Sequence, residues 1–336
     1  MDTNTLNVKS ILITGGTGFL GKHLVEELRK REPESRVRLL SRSKTPWDRE
    51  PGIDVVRGDV TSREDVLRAA GDVSEIYHLA GIVSRDPKDA ARLFKTHVEG
   101  TRNVCEAAAR AGVKKLVAVS SSGTIAVGTE PVAHNEESGY KNDVVGGWPY
   151  YLSKILAEKL ALGYFLRRGL PVVMVNPSLI LGPGDDRGSS TEDVALFLEG
   201  QIMAMPSGGL NFVDARDAAA GLRAAMERGK PGERYLLGGC NWTFRELIET
   251  VAFIANRKAP SIELSVQIAV WSAGILRRVF PLLGKSFRLN DASIKMSALF
   301  WYCDSSRARN ELGFVTRDPL ETLRDTVADV RRRISE

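Results

Sequence analysis

The chain has 336 residues, 43% of them hydrophobic and 26% charged, with a formal net charge of +5. That balance supports a sizeable core, in one large domain with a lobe or in two domains, and it is compatible with an anionic small ligand. No run of about 18 apolar residues offers a membrane span, and no Lys/Arg block interleaved with aromatics points to nucleic acid. The three cysteines, Cys105, Cys240 and Cys303, lie far apart without metal-ligand spacing, so reduced core thiols and no metal are expected. Met1 to Ser10 is polar and lacks a charged-then-apolar signal pattern, which makes the cytoplasm the expected location.

The first strong pattern is Ile11-Leu12-Ile13 followed by Gly15, Gly18 and Gly21, with Leu20, Leu24, Val25 and Leu28 at helical spacing behind them. This predicts a strand, a tight turn and a helix. Gly15 allows the sharp turn, Gly18 lets backbone N–H groups approach a diphosphate, and Gly21 lets the helix pack close to the strand. A diphosphate would sit at the positive helix N-terminus. Val37 to Leu40 is a second strand, ending in Ser41-Arg42-Ser43-Lys44. An acid at such a strand end would accept hydrogen bonds from ribose hydroxyls, whereas Arg42, with Lys44 beside it, suits a 2′-phosphate and favours NADP(H).

Ile53 to Val56 predicts a third strand, followed by Gly58-Asp59-Val60 and a helix capped by Thr61 or Ser62. Asp59 is either an adenine contact or an ordinary acid in a turn. Glu75 to Leu79 is a fourth strand running into the small turn Ala80-Gly81, and His78 within it is expected to be a core histidine. Phe94, Val98, Thr101, Cys105 and Ala108 predict one long helix ending near Gly112. Val113 to Val119 is the fifth strand, with Ser120-Ser121-Ser122-Gly123 at its end.

Trp148-Pro149-Tyr150 opens a helix that carries Tyr150 and Lys154 four residues apart, hence on one face. An ammonium beside a phenol favours the ionised phenol, so a fall in the Tyr150 pKa is expected. Val172 to Val175 is the sixth strand and ends in Asn176-Pro177-Ser178. Beyond it the alternation loosens, with a short helix over Asp193 to Leu198, an Ala-rich helix to about Met226, a strand at Arg234 to Leu237 and a Thr243-capped helix to Ile254. Val266 to Gly284 is apolar but carries Arg277, Arg278 and Pro281. It fits a lid over an apolar pocket or a helix on a membrane surface, and the lack of a clean basic face favours the lid. Leu320, Leu323, Val327 and Val330 end the chain as an amphipathic helix.

With the glycine turn, the strand-terminal serine and the Tyr-Lys helix in place, the chain resembles the extended short-chain dehydrogenase/reductase superfamily. The resemblance runs from Thr14–Gly21 to Asp304-Ser305-Ser306-Arg307-Ala308-Arg309-Asn310-Glu311-Leu312-Gly313-Phe314. It looks most like the dihydroflavonol 4-reductase-like branch, which includes cinnamoyl-CoA reductases and 3β-hydroxysteroid dehydrogenase-like proteins. The expected fold class is α/β, a doubly wound parallel Rossmann sheet with a smaller C-terminal lobe. Residues 1–175 and 213–238 would form the dinucleotide-binding domain, and 176–212 with 239–336 the substrate-binding lobe.

The resemblance implies that Tyr150 moves the proton to or from the substrate oxygen. Lys154 would tune Tyr150 and hold the nicotinamide ribose, and Ser121, or Ser122 if the register slips, would hydrogen-bond the same oxygen. It also implies a cofactor-contacting set of Gly15, Thr17, Gly18, Phe19, Leu20, Gly21, Arg42, Lys44, Asp59, Val60, Leu79, Ala80, Gly81, Tyr150, Lys154 and Pro177. The family's usual Asn on the long helix is His97 here, which leaves that role unassigned. A homodimer through the helices containing Phe94 and Ile155 is a further implication.

The expected reaction is NADPH-dependent reduction of a ketone or aldehyde on a largely apolar small molecule. An NAD-dependent sugar-nucleotide epimerase is the alternative. The basic end of the second strand, the lack of an Arg beside Asn211-Phe212 and the Asn176-Pro177-Ser178 run argue against it. A dehydratase would carry an Asp-Glu pair where Ser122-Gly123 stands, and a non-catalytic cofactor sensor would have no need of Tyr150 and Lys154 together.

Overall fold

The computed structural model describes residues 9–284 and 286–335; the polar stretch Met1 to Val8, on which part of the signal-peptide reading rests, lies outside them. Six strands in chain order, β1 (Ser10–Thr14), β2 (Arg36–Ser41), β3 (Ile53–Arg57), β4 (Glu75–His78), β5 (Lys115–Val119) and β6 (Val172–Pro177), build most of the main sheet. Their spatial order is β3-β2-β1-β4-β5-β6, and every pairing is parallel. Successive side chains of a strand face opposite sides, and here both sides are buried. Ile11 and Ile13 pack against α1 (Phe19–Arg31), while Leu12 packs with Val66 of α2 (Arg63–Ala69). The strand order reverses between β1 and β4, the position at which open parallel sheets bind ligands beyond their carboxyl ends.

Ser62, rather than Thr61, caps α2 by accepting from the Asp65 N–H. The long helix expected across Phe94 is broken into α3 (Ala90–Phe94), a π-helical turn over Lys95–Glu99 and α4 (Gly100–Ala111). Such a turn inserts a residue into the helical repeat and re-aims the side chains within it, here His97. After α5 (Asn142–Val145), α6 (Pro149–Arg168) starts on a proline at its first turn and stops at Gly169, whose φ is +66°.

Past β6 the chain builds a second sheet from β7 (Leu179–Leu181) and β8 (Gly209–Asp214), with α7 (Glu192–Leu198) between them. Of the stretch expected to return to the main sheet over residues 213–238, β9 (Arg234–Leu237) does so, alongside β6. α8 (Ala215–Arg228) packs on α1, whereas β8 lies in the second sheet between β10 (Cys240–Thr243) on one side and β7 and β11 (Phe300–Trp301) on the other. The lobe is completed by α9 (Phe244–Ala255), α10 (Val266–Val279), α11 (Asp291–Met296) and α12 (Pro319–Ser335). A capping box of Thr243 and Glu246 starts α9. The lobe has its own core, in which Phe197, Leu210, Phe212, Val251 and Val327 meet.

Candidate active site

The turn after β1 and the turn after β4 touch at the point where the strand order reverses. Gly15 has φ +77°, and a Cβ there would lie 2.6 Å from the Ala80 backbone nitrogen. A Cβ on Gly21 would lie 2.1 Å from the Gly15 carbonyl oxygen, so α1 packs this close only with glycine at that position. α1 begins with no side-chain cap and no acid in its first turn, which leaves its first N–H groups and its positive end to an anion. The Ser120 and Ser178 hydroxyls, both at the cavity described below, are buried without a protein partner. A glycine-cleared cradle, an uncapped helix N-terminus and unpartnered hydroxyls fit a dinucleotide.

Arg42 and Lys44 follow β2 on the surface. Arg42 is 71% exposed and its Nη1 lies 3.8 Å from the Asp59 carboxylate, so two expected cofactor contacts face each other. Asp59 accepts hydrogen bonds from the Thr61 N–H and hydroxyl, which fixes its carboxylate at the carboxyl end of β3. Val60 packs on Gly100, and Leu79, Ala80 and Gly81 form the turn after β4. His78 is a core residue as expected. It lies 2.7 Å from the Thr14 hydroxyl and 3.1 Å from that of Thr101, and burial pushes its pKa down to about 3.

Ser121, Tyr150 and Lys154 converge at the carboxyl ends of β5 and β6. Within the serine run, Ser121 is the residue whose side chain acts on the Tyr150 phenol, favouring its ionised form. Burial pushes that phenol up to about 12, opposite to the fall expected from its helical pairing with Lys154. Desolvation disfavours the phenolate, and here it outweighs the other influences. The same effect brings Lys154 down to about 8, with Glu158 pulling the other way. The Lys154 Nζ donates to the Val119 carbonyl at 3.1 Å.

His97 proves to be a structural clamp. Its Nε2 accepts from the Ile82 N–H at 3.1 Å, so the ring proton sits on Nδ1, 2.8 Å from the Ser153 hydroxyl. Ser153 in turn donates to the Tyr150 carbonyl at 2.8 Å. The ring therefore ties the turn after β4 to the first turn of α6. Burial and the nearby Lys154 ammonium push its pKa down to about 2, which keeps it neutral.

Two groups at the site carry no recognisable pattern in the sequence. Glu158, fully buried, accepts from the Thr124 hydroxyl and the Asn176 amide, both at 2.8 Å, and from Arg234 at 3.0 Å. Asn176 also donates to the Ser121 carbonyl, and the Thr124 hydroxyl, which has one proton to share, lies 2.8 Å from that carbonyl as well as from Glu158. Arg85 grips Asp193 with two bonds of 2.8 and 3.0 Å and reaches the Ser293 hydroxyl at 3.0 Å, which joins the β4 side of the site to α7 and α11.

These residues border a cavity of about 350 Å³. Ser121, Tyr150, Pro177 and Ser178 line it from the parallel sheet, Phe197, Met205, Leu210 and Leu247 from the lobe, and Val266, Ala269, Ala273 and Leu276 from α10. A Tyr151–Trp301 stack, with ring centroids 5.1 Å apart, adds an aromatic wall.

Residues 11–238 match the NAD dependent epimerase/dehydratase family. The chain belongs to this family. It is an enzyme of the extended short-chain dehydrogenase/reductases, a group that uses nicotinamide cofactors. A Synechocystis protein named as a dihydroflavonol 4-reductase is 32% identical over 325 residues, which span 94% of this chain and 92% of that one. Sterol demethylase protein B of Methylococcus capsulatus is 33% identical over 329 residues, spanning 96% and 98%. The crystal structure of gox2253 matches with a TM-score of 0.82 at 31% identity, covering 96% of this chain and 98% of that one.

Proposed function

We propose that this family member reduces a ketone or aldehyde on a largely apolar small molecule, using NADPH. The observation that carries this reading is that Ser121 and Tyr150 both line one cavity walled mostly by apolar side chains. A nicotinamide cofactor, when bound, supplies the hydride. Gly15, Thr17, Gly18, Phe19, Leu20 and Gly21 would hold its diphosphate half, and Asp59 and Val60 its adenine. Leu79, Ala80, Gly81, Lys154 and Pro177 would flank the nicotinamide half. Tyr150 donates its proton to the substrate oxygen while the Ser121 hydroxyl hydrogen-bonds that same oxygen. A phenol held near 12 keeps its proton at neutral pH, which suits a donor.

The preference for NADPH rests on Arg42, with Lys44 as an auxiliary charge. Arg42 is exposed and only loosely engaged with Asp59, so its guanidinium can turn to a 2′-phosphate. A charge-assisted hydrogen bond of this kind contributes about 1.5–3 kcal/mol. Arg42→Ala is therefore expected to weaken NADPH binding by roughly 10- to 150-fold and to leave NADH nearly unchanged in cofactor titrations. An equal loss for both cofactors would make Arg42 a support of the fold instead.

The proposal extends to a homodimer through the helices that carry Phe94 and Ile155. Ile155 itself is buried within the chain, so the exposed faces of α3 and α6 would make the contact. Sedimentation at micromolar concentration is expected to show a dimer, and a monomer would remove this part of the reading.

A further inference from the structure

α10 is apolar on two opposed faces. Val266, Ala269, Ala273 and Leu276 line the cavity, which accounts for one of them. The other points to solvent: Ile268 is 53% exposed, Trp271 70%, Ile275 40% and Val279 41%, and Leu282 just past the helix is 84% exposed. Spacings of three and four residues place the four helical side chains in one stripe. A helix that merely covered a cavity would turn a polar face to water, and a contiguous exposed apolar stripe marks an interaction surface.

The segment that carries the stripe has cations and no acid of its own. From Leu264 to Asn290 the chain holds four cations, Arg277, Arg278, Lys285 and Arg288, and no acid. Arg277 is engaged by Asp291 and Arg288 by Glu199, whereas Arg278 is exposed and makes no ion pair among the described residues. At 100° per residue, Arg278 falls at the edge of the stripe, close to Trp271 and Ile275.

We propose that α10 docks the protein on an anionic lipid bilayer, its outer stripe lying in the headgroup–acyl boundary and Arg278 reaching the headgroups. An exposed Trp between aliphatic side chains, with an unpaired Arg at the edge of the stripe, is the composition that such an interface selects. The occupant is lipid rather than a second protein because the exposed Trp271 stands among aliphatic side chains with Arg278, a cation without an ion pair among the described residues, at the edge of the stripe to meet an anionic surface. The opposite face of the same helix walls the cavity. The docking does not depend on the reaction assigned above.

Flotation of the full chain tests this, using vesicles of phosphatidylcholine alone and vesicles of equal parts phosphatidylcholine and phosphatidylglycerol. Binding is expected to the mixed vesicles, with a marked loss on the neutral ones and at high salt. The double variant Trp271→Ser with Ile275→Ser alters only exposed side chains and is expected to keep its circular dichroism while its partitioning falls by about tenfold or more. Arg278→Glu should lose roughly tenfold on the mixed vesicles and little on the neutral ones. Absence of flotation on both vesicles, or flotation unchanged in the double variant, overturns the proposal. So does an oligomer in the absence of lipid that the double variant dissociates, because a second copy would then cover the stripe.

Discussion

Tyr150→Phe is expected to lower kcat for carbonyl reduction by about 10² to 10⁴, the usual contribution of a positioned general acid. The ring stays in its place beside His97 and Tyr151, with centroids 5.8 and 5.0 Å away, so packing is preserved and only the proton donor is lost. NADPH affinity should therefore remain within a few-fold, and the deficit should appear in kcat rather than KM. The free protein's pH profile carries a second signature of the same site. The buried Lys154 ammonium titrates at about 8, so it is charged below that pH and neutral above it. If its charge supports Tyr150 and the ribose, kcat/KM falls as pH rises through about 8 in the wild type. Full reductase activity in the Phe variant would sink the assignment. Interconversion of sugar nucleotides by the wild type, with no net use of added NADPH, would favour the epimerase reading.

What the sequence shows of this site is what local spacing can carry. Gly15, Gly18 and Gly21 lie within one turn and one helix start, and Tyr150 and Lys154 lie one helical turn apart, so their neighbours along the chain are their neighbours in space. The main sheet was legible for the same reason, since each apolar run sits next to its own helix. β8 was not read as a strand because Gly209 to Asp214 is buried on both faces and shows no alternation. Its partners β10 and β11 are short strands whose pairing depends on distant chain. The π-helical turn around His97 escaped because the apolar period runs on through it. The pKa of Tyr150 followed burial, which is set by the packing of α6, the serine run and the lobe rather than by the residue four positions away. Arg85 and Asp193 are 108 positions apart, and nothing near either announces the other.

The second large effect concerns stability and passes through Glu158. Its carboxylate is fully buried, and Arg234, 13% exposed, is the cation beside it, with both Nε and Nη2 within 3.0 Å of Glu158 Oε2. The guanidinium also donates to the Tyr140 hydroxyl at 2.8 Å and lies 4.8 Å from the centre of that ring. Arg234→Met removes the charge but keeps much of the volume, leaving a carboxylate held by the neutral donors Thr124 and Asn176. Stripping one partner from a buried pair typically costs about 3–5 kcal/mol, because the remaining charge is neither paired nor hydrated. Urea unfolding of Arg234→Met should show that loss, and Arg234→Met combined with Glu158→Gln should recover most of it, since the carboxylate that lost its guanidinium is then neutral. Thr124 and Asn176 also lie 2.8 and 3.0 Å from the Ser121 carbonyl, so the single variant should also lower kcat with little change in cofactor affinity. A single variant that unfolds within about 0.5 kcal/mol of wild type, as surface substitutions do, would mean that water reaches Glu158 and that the pair is not the support of the Ser121 turn.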